Sequence, residues 1–191
     1  MTEDRLRLFV AVSIPTHLLE ALAGATQDLH QTVPGGRWSP PENQHVTLKF
    51  LGWSPAERFE EIAAAVGSVS AAHSPAAVRL AGLGSWPSRR RVRVLWAGLH
   101  DESELLPRLA AELDDALGPV GFEPEKRDFT PHLTLARWRT PVPLRVPLPD
   151  LPAEVRETFT IEAVELFRSH LSPKGARYEV LKSWPLPGGA Q

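Results

Sequence analysis

No cysteine occurs anywhere in the 191 residues. That excludes disulfides, thiolate metal sites and a thiol nucleophile. A charge excess is missing too: 21 Lys and Arg against 23 Asp and Glu leave a formal net charge of −2. The chain therefore lacks the broad basic signal of a protein that grips duplex nucleic acid along its length. An enzyme that holds only a strand end stays open. No apolar run approaches the ~20 residues of a membrane span. The stretch Met1 to Arg7 is polar, and the apolar run Leu8 to Ile14 is short and has no small-residue cleavage pattern, which argues against a signal peptide. A soluble, cytoplasmic protein is expected. His17, His30, His73, His100 and His170 make no H-E-x-x-H or similar spacing, so no metal site is expected and these histidines read as surface residues. The glycine pairs at 35–36 and 188–189 lack the flanks of a phosphate loop.

What remains is a globular composition, 42% hydrophobic and 23% charged, which fits a single domain over residues 1–191, of ordinary form or with two lobes. Arg5 to Ile14 reads as a buried strand. Leu18, Leu22, Leu29 and Val33 mark a helix that Pro34-Gly35-Gly36 stops. Arg37-Trp38 reads as a short strand. Ser54-Pro55-Ala56-Glu57 has the form of a capping box, with Phe59, Ile62, Val66 and Val69 at helical spacing behind it. Strands are expected at 77–83 and 91–99, followed by a helix capped by Asp101 and marked by Leu105, Leu106, Leu109, Leu113 and Leu117. The five prolines between 140 and 152 predict an extended connector. Thr158 to Phe167 reads as one strand, and Ser172-Pro173-Lys174-Gly175 as the turn to a hairpin partner at 177–184. Strands and helices in mixed order with hairpin neighbours predict an α+β fold.

One pattern occurs twice. Gln44-His45-Val46-Thr47-Leu48-Lys49-Phe50-Leu51-Gly52 is echoed by Phe129-Thr130-Pro131-His132-Leu133-Thr134-Leu135-Ala136-Arg137. Strand side chains alternate between faces. His45 and Thr47 thus share one face, as do His132 and Thr134, while Val46, Leu48 and Phe50, like Leu133 and Leu135, turn the other way. By the same parity Lys49 joins His45 and Thr47, lining a cleft or standing at its rim. Arg137 falls on the wrong face, and reaches the histidine side only if the strand ends, twists or bulges.

Histidine, with an ordinary pKa of ~6.5, donates or accepts protons near neutrality. Two on one substrate can hold opposite protonation states, one taking a proton from a nucleophile and one giving a proton to a leaving group. Phosphodiester cleavage needs both steps. Hydroxyls two residues away can donate hydrogen bonds to phosphate oxygens. This scheme requires no metal or cofactor. The cluster Arg89-Arg90-Arg91 with Arg93 could guide an RNA backbone or be an ordinary charged loop. Phe9, Trp38 and Phe129 could stack a terminal base or belong to the core.

These residues resemble the two-histidine (2H) phosphoesterase superfamily, and within it the RNA 2′,3′-cyclic phosphodiesterases, also called 2′-5′ RNA ligases. The resemblance runs through Arg7-Leu8-Phe9-Val10-Ala11-Val12, both His-x-Thr segments, Arg93-Val94-Leu95-Trp96-Ala97-Gly98-Leu99, Leu166-Phe167-Arg168-Ser169 and Tyr178. It implies a bilobal α+β fold: two mixed or antiparallel sheets, pseudo-twofold related about a central cleft, with helices outside. It implies metal-independent hydrolysis of an RNA terminal 2′,3′-cyclic phosphate to a 2′-phosphomonoester. Carried over, His132 is the general base, His45 the general acid, Thr47 and Thr134 the phosphate holders, and Arg137 the neutralising cation. The partners it implies are RNA 3′ ends bearing the cyclic phosphate, tRNA fragments among them, or nucleotides, acted on by a monomer away from any membrane. Reverse 2′-5′ ligation is a further activity it implies in vitro. A small cyclic nucleotide or ADP-ribose cyclic phosphate as substrate stays open, as does a non-catalytic module that only holds RNA ends.

Overall fold

The computed structural model describes residues 5–173 and 175–188. In chain order the elements are β1 Arg5–Val12, α1 Thr16–Ala25, α2 Gln27–Thr32, β2 Arg37–Trp38, β3 Val46–Pro55, α3 Phe59–Ala71, β4 Ala76–Trp86, β5 Val92–His100, α4 Leu105–Leu117, β6 His132–Val142, β7 Thr158–Ile161, β8 Ala163–Ser172 and β9 Gly175–Pro185. The strands pair antiparallel throughout in the order β7-β4-β5-β6-β3-β1-β8-β9, with β2 on β6. The two expected sheets are thus two lobes of one sheet. The lobe β7-β4-β5-β6 meets the lobe β3-β1-β8-β9 through one residue pair, Val46 with Leu133. Each motif strand is the innermost strand of its lobe.

One face carries the main core. Leu8, Val10 and Val12 from β1 pack there with Val46, Leu133 and Leu135, and with Leu18, Leu22, Ile62, Val66, Leu109 and Leu113 from the helices. Burying each such side chain contributes about 1.5–3 kcal/mol relative to exposure. The leucines of α4 predicted from spacing are all buried. Asp101 receives the amide of Leu106 at 2.7 Å, so it does serve the first turn of that helix. The opposite, open face of the lobe β3-β1-β8-β9 holds a small separate cluster of Phe9, Ala11 and Phe167 with Tyr178 against it.

Several local patterns resolve differently from their expectation. The first helix breaks at Thr26, whose hydroxyl bonds back to the Leu22 carbonyl at 2.8 Å. Such back-bonding bends helices. Ser54 caps nothing: β1 pairs with β3 as far as Pro55, the buried serine belongs to that ladder, and a 3₁₀ turn intervenes before α3 starts at Phe59. The strand expected over 158–167 splits at Glu162. Its first part pairs with β4 at one edge of the sheet, and its second part pairs with β1 and β9 in the other lobe. The chain changes lobes across one residue, a step that alternation cannot register. Strand β6 runs through Pro141 to Val142, and the connector begins after it. The hairpin closes as expected with Ser172 opposite Gly175. Lys174 of that turn, Met1 to Asp4 and Gly189 lie outside the described residues.

Lys49 also departs from parity. Val10 pairs with Lys49 and Ala11 with Thr47, so Leu48 is an extra residue opposite β1. A bulge of this kind reverses the alternation. Leu48 and Lys49 are both buried, and Lys49 points toward the helices. Its Nζ pairs with Asp114 of α4 and donates to the Glu123 carbonyl at 2.6 Å. Lys49 therefore neither lines a cleft nor sits at a rim. Its side chain is 5% exposed and that of Asp114 20%, so removing one partner strands a largely buried charge. Lys49→Met is expected to lower unfolding stability by about 3 kcal/mol, read as a shifted urea midpoint. The pair variant Lys49→Met with Asp114→Leu should recover most of that loss.

Candidate active site

His45 lies between the 3₁₀ turn Pro41–Asn43 and the first residue of β3. Its position is set from both sides. The Asn43 amide donates to the Ala176 carbonyl of β9 at 2.9 Å, and the buried Gln44 donates to the Ser39 carbonyl at 2.9 Å. The imidazole stacks on Phe9 at 4.6 Å and 24° and meets the edge of Tyr178 at 5.0 Å and 86°. Phe9 in turn stacks flat on Phe167 at 5.0 Å. The phenylalanine offered as a base-stacking surface is thus buried under a catalytic candidate.

His132 opens β6. Its Nδ1 lies 2.7 Å from the Thr130 carbonyl. A carbonyl only accepts, so Nδ1 carries the hydrogen and, in the neutral ring, Nε2 presents a lone pair. Trp86 of β4 packs edge-on at 4.5 Å and rests on Trp96 of β5 at 5.0 Å. Position 84 has to be glycine here, because a Cβ would lie 2.1 Å from the Trp96 ring.

The single pair joining the lobes also joins the motifs. Val46 and Leu133 each follow their histidine by one residue, and both are fully buried on the core face. In an antiparallel pair the flanking positions face each other on the opposite side. The join therefore sets His45 beside Thr134 and Thr47 beside His132 on the open face. Each histidine neighbours the other motif's threonine, related by a pseudo-twofold through the Val46–Leu133 pair.

Arg137 belongs to this group, against simple parity. Trp96 pairs with Thr134 and Leu95 with Ala136, leaving Leu135 as an extra residue. Leu135 and Ala136 are both buried in the core, and Arg137 returns to the face of His132 and Thr134. Its Nη2 donates to Thr134 Oγ1 at 3.2 Å. The bulge falls three residues after His132, as the bulge at Leu48 falls three after His45. The residue of β3 matching Arg137 is Phe50, 51% exposed with the Arg7 guanidinium 4.6 Å over its ring.

Both imidazoles are held below the ordinary value of 6.5. Burial pushes His45 down to about 4, the Asn43 carbonyl opposes this, and nearby His132 adds to it. His132 is lowered chiefly by burial, opposed by the Thr130 carbonyl and reinforced by Arg137. Both are neutral at pH 7 without a bound anion.

The remaining candidates have structural partners. Arg89 donates to the Val146 carbonyl at 2.7 Å and Arg93 to the Arg139 carbonyl at 2.8 Å, so part of the basic cluster ties the proline-rich connector and the far end of β6. Trp38 packs against Trp138 and His30, and Phe129 packs on the core. His73 is not a surface residue: it is buried, with Nδ1 2.9 Å from the Val69 carbonyl and Nε2 3.3 Å from Glu112. Trp86 was not among the expected site residues. The strand expected at 77–83 stops short of it and Gly84 to Ser88 reads as a turn, whereas β4 runs on to Trp86. Among the described residues no three His, Cys, Asp or Glu side chains cluster as a metal site requires, and no helix is long and apolar enough to cross a membrane.

Comparison with known proteins places the chain in a family. The sequence matches the family described as LigT like Phosphoesterase over residues 12–96 and 99–178. It is 34% identical over 187 residues to an RNA 2′,3′-cyclic phosphodiesterase of Thermus thermophilus, covering 96% of this chain and 91% of that protein. It is 30% identical to one of Methanocaldococcus jannaschii, covering 94% of this chain and 100% of that protein. A Geobacillus stearothermophilus relative of the same name is 31% identical over 96% of this chain, which spans 58% of that longer protein. Among solved structures, a protein of Thermus thermophilus superposes with a TM-score of 0.84 at 31% identity, covering 97% of this chain and 100% of that chain. E. coli LigT complexed with 3′-AMP superposes at 0.82 and 27% identity, covering 96% and 99%. The chain belongs to the LigT like Phosphoesterase family.

Proposed function

We propose that this chain is an RNA 2′,3′-cyclic phosphodiesterase that opens the terminal cyclic phosphate to a 2′-phosphomonoester, with His45 and His132 as its acid–base pair. The observation that carries this reading is the quartet on either side of the Val46–Leu133 pair, two imidazoles and two hydroxyls converging on one face. The activity named for the relatives supports the substrate class. Residues 1–191 act as one bilobal unit, because each lobe supplies one histidine.

The surroundings of the two imidazoles are unlike, which supports unlike roles. His132 stands near Arg137, which favours its neutral form, and its Nδ1 is committed to Thr130. Nε2 takes a proton from water as the water oxygen attacks phosphorus. Among the described residues His132 is the one charged neighbour that lowers the His45 pKa, so an arriving phosphate anion raises that pKa and recharges the ring. It protonates O3′ as the P–O3′ bond breaks, leaving the phosphate on O2′. Thr47 and Thr134 donate to the non-bridging oxygens, and Arg137 balances the charge that develops there. Atoms and protons balance with water alone. A second reading, a small cyclic nucleotide as substrate, is favoured by the complex of E. coli LigT with 3′-AMP.

Incubation in EDTA with an oligonucleotide ending in a 2′,3′-cyclic phosphate should yield the 2′-monoester. His45→Ala and His132→Ala should each lower kcat by about 10²–10⁴-fold without loss of fold. Full activity in both variants sinks the mechanism, and binding without product favours an end-holding module. Arg137→Ala should lower kcat/KM by about 10–100-fold, consistent with the loss of a charge-assisted contact to phosphate.

The protonation states carry a stability test. The folded pKa of His45 lies below its unfolded value of 6.5. Its contribution is therefore complete above pH 6.5 and is lost as pH falls from 6.5 toward about 4. The loss is on the order of 3 kcal/mol over that window. Urea midpoints between pH 7.5 and 4 should fall, and His45→Gln should flatten that part of the curve.

A further inference from the structure

Two large aromatics stand out into solvent from the middle of the sheet. Phe50 is 51% exposed and Trp53 53%. Both lie on β3, downstream of the His45 motif. A regular strand would send residues three apart to opposite faces. A second irregularity prevents this: Phe9 pairs with Phe50 and Leu8 with Gly52, skipping Leu51. Gly52 sits at φ +69°, where other residues are strained. Trp53 then pairs with Arg7, and cross-strand partners share a face. Arg7 lies 4.6 Å over Phe50, so Phe50, Arg7 and Trp53 project together from the open face.

The patch is continuous with the site. Phe50 is the register partner of Phe9, on which His45 stacks. Arg7 donates to Ser169 at 2.9 Å, and Ser169 is the partner of Tyr178, which touches His45. Arg5 adds a second cation, its Nη2 donating to the Trp53 carbonyl at 2.8 Å. Among the described residues no carboxylate forms an ion pair with Arg5 or Arg7. Exposed aromatic faces interleaved with guanidinium groups are what a single strand of nucleic acid requires: stacking that tolerates any base, and cations for the backbone. Along β3 the patch starts three residues beyond Thr47, a distance of about 10 Å.

We propose that Phe50, Trp53 and Arg7 form a stacking platform for single-stranded RNA immediately 5′ of the cyclic-phosphate nucleotide, so that the enzyme reads a strand end rather than a free nucleotide. This rests on the cyclic-phosphodiesterase reading. The pseudo-twofold gives the platform its meaning. At the matching bulge one lobe offers Arg137 to the phosphate, and the other offers Phe50 to a base.

The test compares a 2′,3′-cyclic mononucleotide with an unstructured eight-nucleotide RNA ending in the same group. The double variant Phe50→Ala, Trp53→Ala should lower kcat/KM at least tenfold on the octamer and leave the mononucleotide within twofold. Phe50→Trp with native Trp53 should keep the octamer activity. Equal losses on both substrates, or no loss on either, overturn the platform. A second arm does not depend on turnover: fluorescence anisotropy of a labelled octamer ending in a plain 3′-OH. Wild-type binding should weaken at least tenfold in the double variant, and Arg7→Gln should flatten its salt dependence. Unchanged binding overturns the proposal. Absence of hydrolysis by the wild-type protein overturns the activity and leaves the platform to be judged by anisotropy. A wild-type dimer that the double variant converts to monomer in sedimentation marks the patch as a self-association surface, and also overturns it.

Discussion

Leu135 has no partner on β5, and that one unpaired residue brings Arg137 onto the face of His132 and Thr134. A bulge disrupts the local ladder and sharpens strand twist. Here the disruption is offset by sending Leu135 and Ala136, in succession, into the core. The same device recurs at Leu48 in β3, where the second inward residue is Lys49. Apolar at one place and charged at the other, the position after the extra leucine decides what each lobe anchors beneath the site. The position beyond it decides what each lobe presents above.

The lobes repeat a backbone plan and differ in side chains, and that difference separates two chemically identical imidazoles. Around His45 the plan is filled with aromatic surface: Phe9, Phe167 and Tyr178. Such a wall strips water from the ring, and the charged form is then costly. Around His132 there is a tryptophan edge and a guanidinium instead. A symmetric scaffold would leave the two rings interchangeable, whereas these surroundings hold them in unlike environments.

The histidines, both threonines and the buried partners Val46 and Leu133 were legible from alternation alone, because a period of two survives over the three residues His-x-Thr. Beyond that length the bulges defeat it. Lys49 and Arg137 each stand past an extra residue, so parity sent the lysine to the wrong face and left the arginine conditional on a distortion. The split at Glu162 was hidden for a related reason. Both halves of Thr158 to Phe167 alternate well, and only tertiary pairing shows that they belong to different lobes. Ser54 carries the right residues for a cap, but the ladder with β1 claims its backbone first. In each case a local rule was sound and a long-range pairing overrode it.

The thinness of the sheet at its centre poses a further mechanical question. One residue pair cannot by itself fix the two motifs relative to each other to the few tenths of an ångström that hydrogen-bond reach allows. Rigidity must come from beneath. Lys49, turned inward by the first bulge, pairs with Asp114 of α4 and donates to Glu123, and Asp114 also receives the amide of Glu125 at 2.9 Å. Glu123 and Glu125 lie on the segment that runs from α4 to His132. The lysine of one motif strand therefore braces the approach to the other motif's histidine. The buried residue that parity had placed on the histidine face, in the cleft or at its rim, acts below that face as a strut between the two lobes.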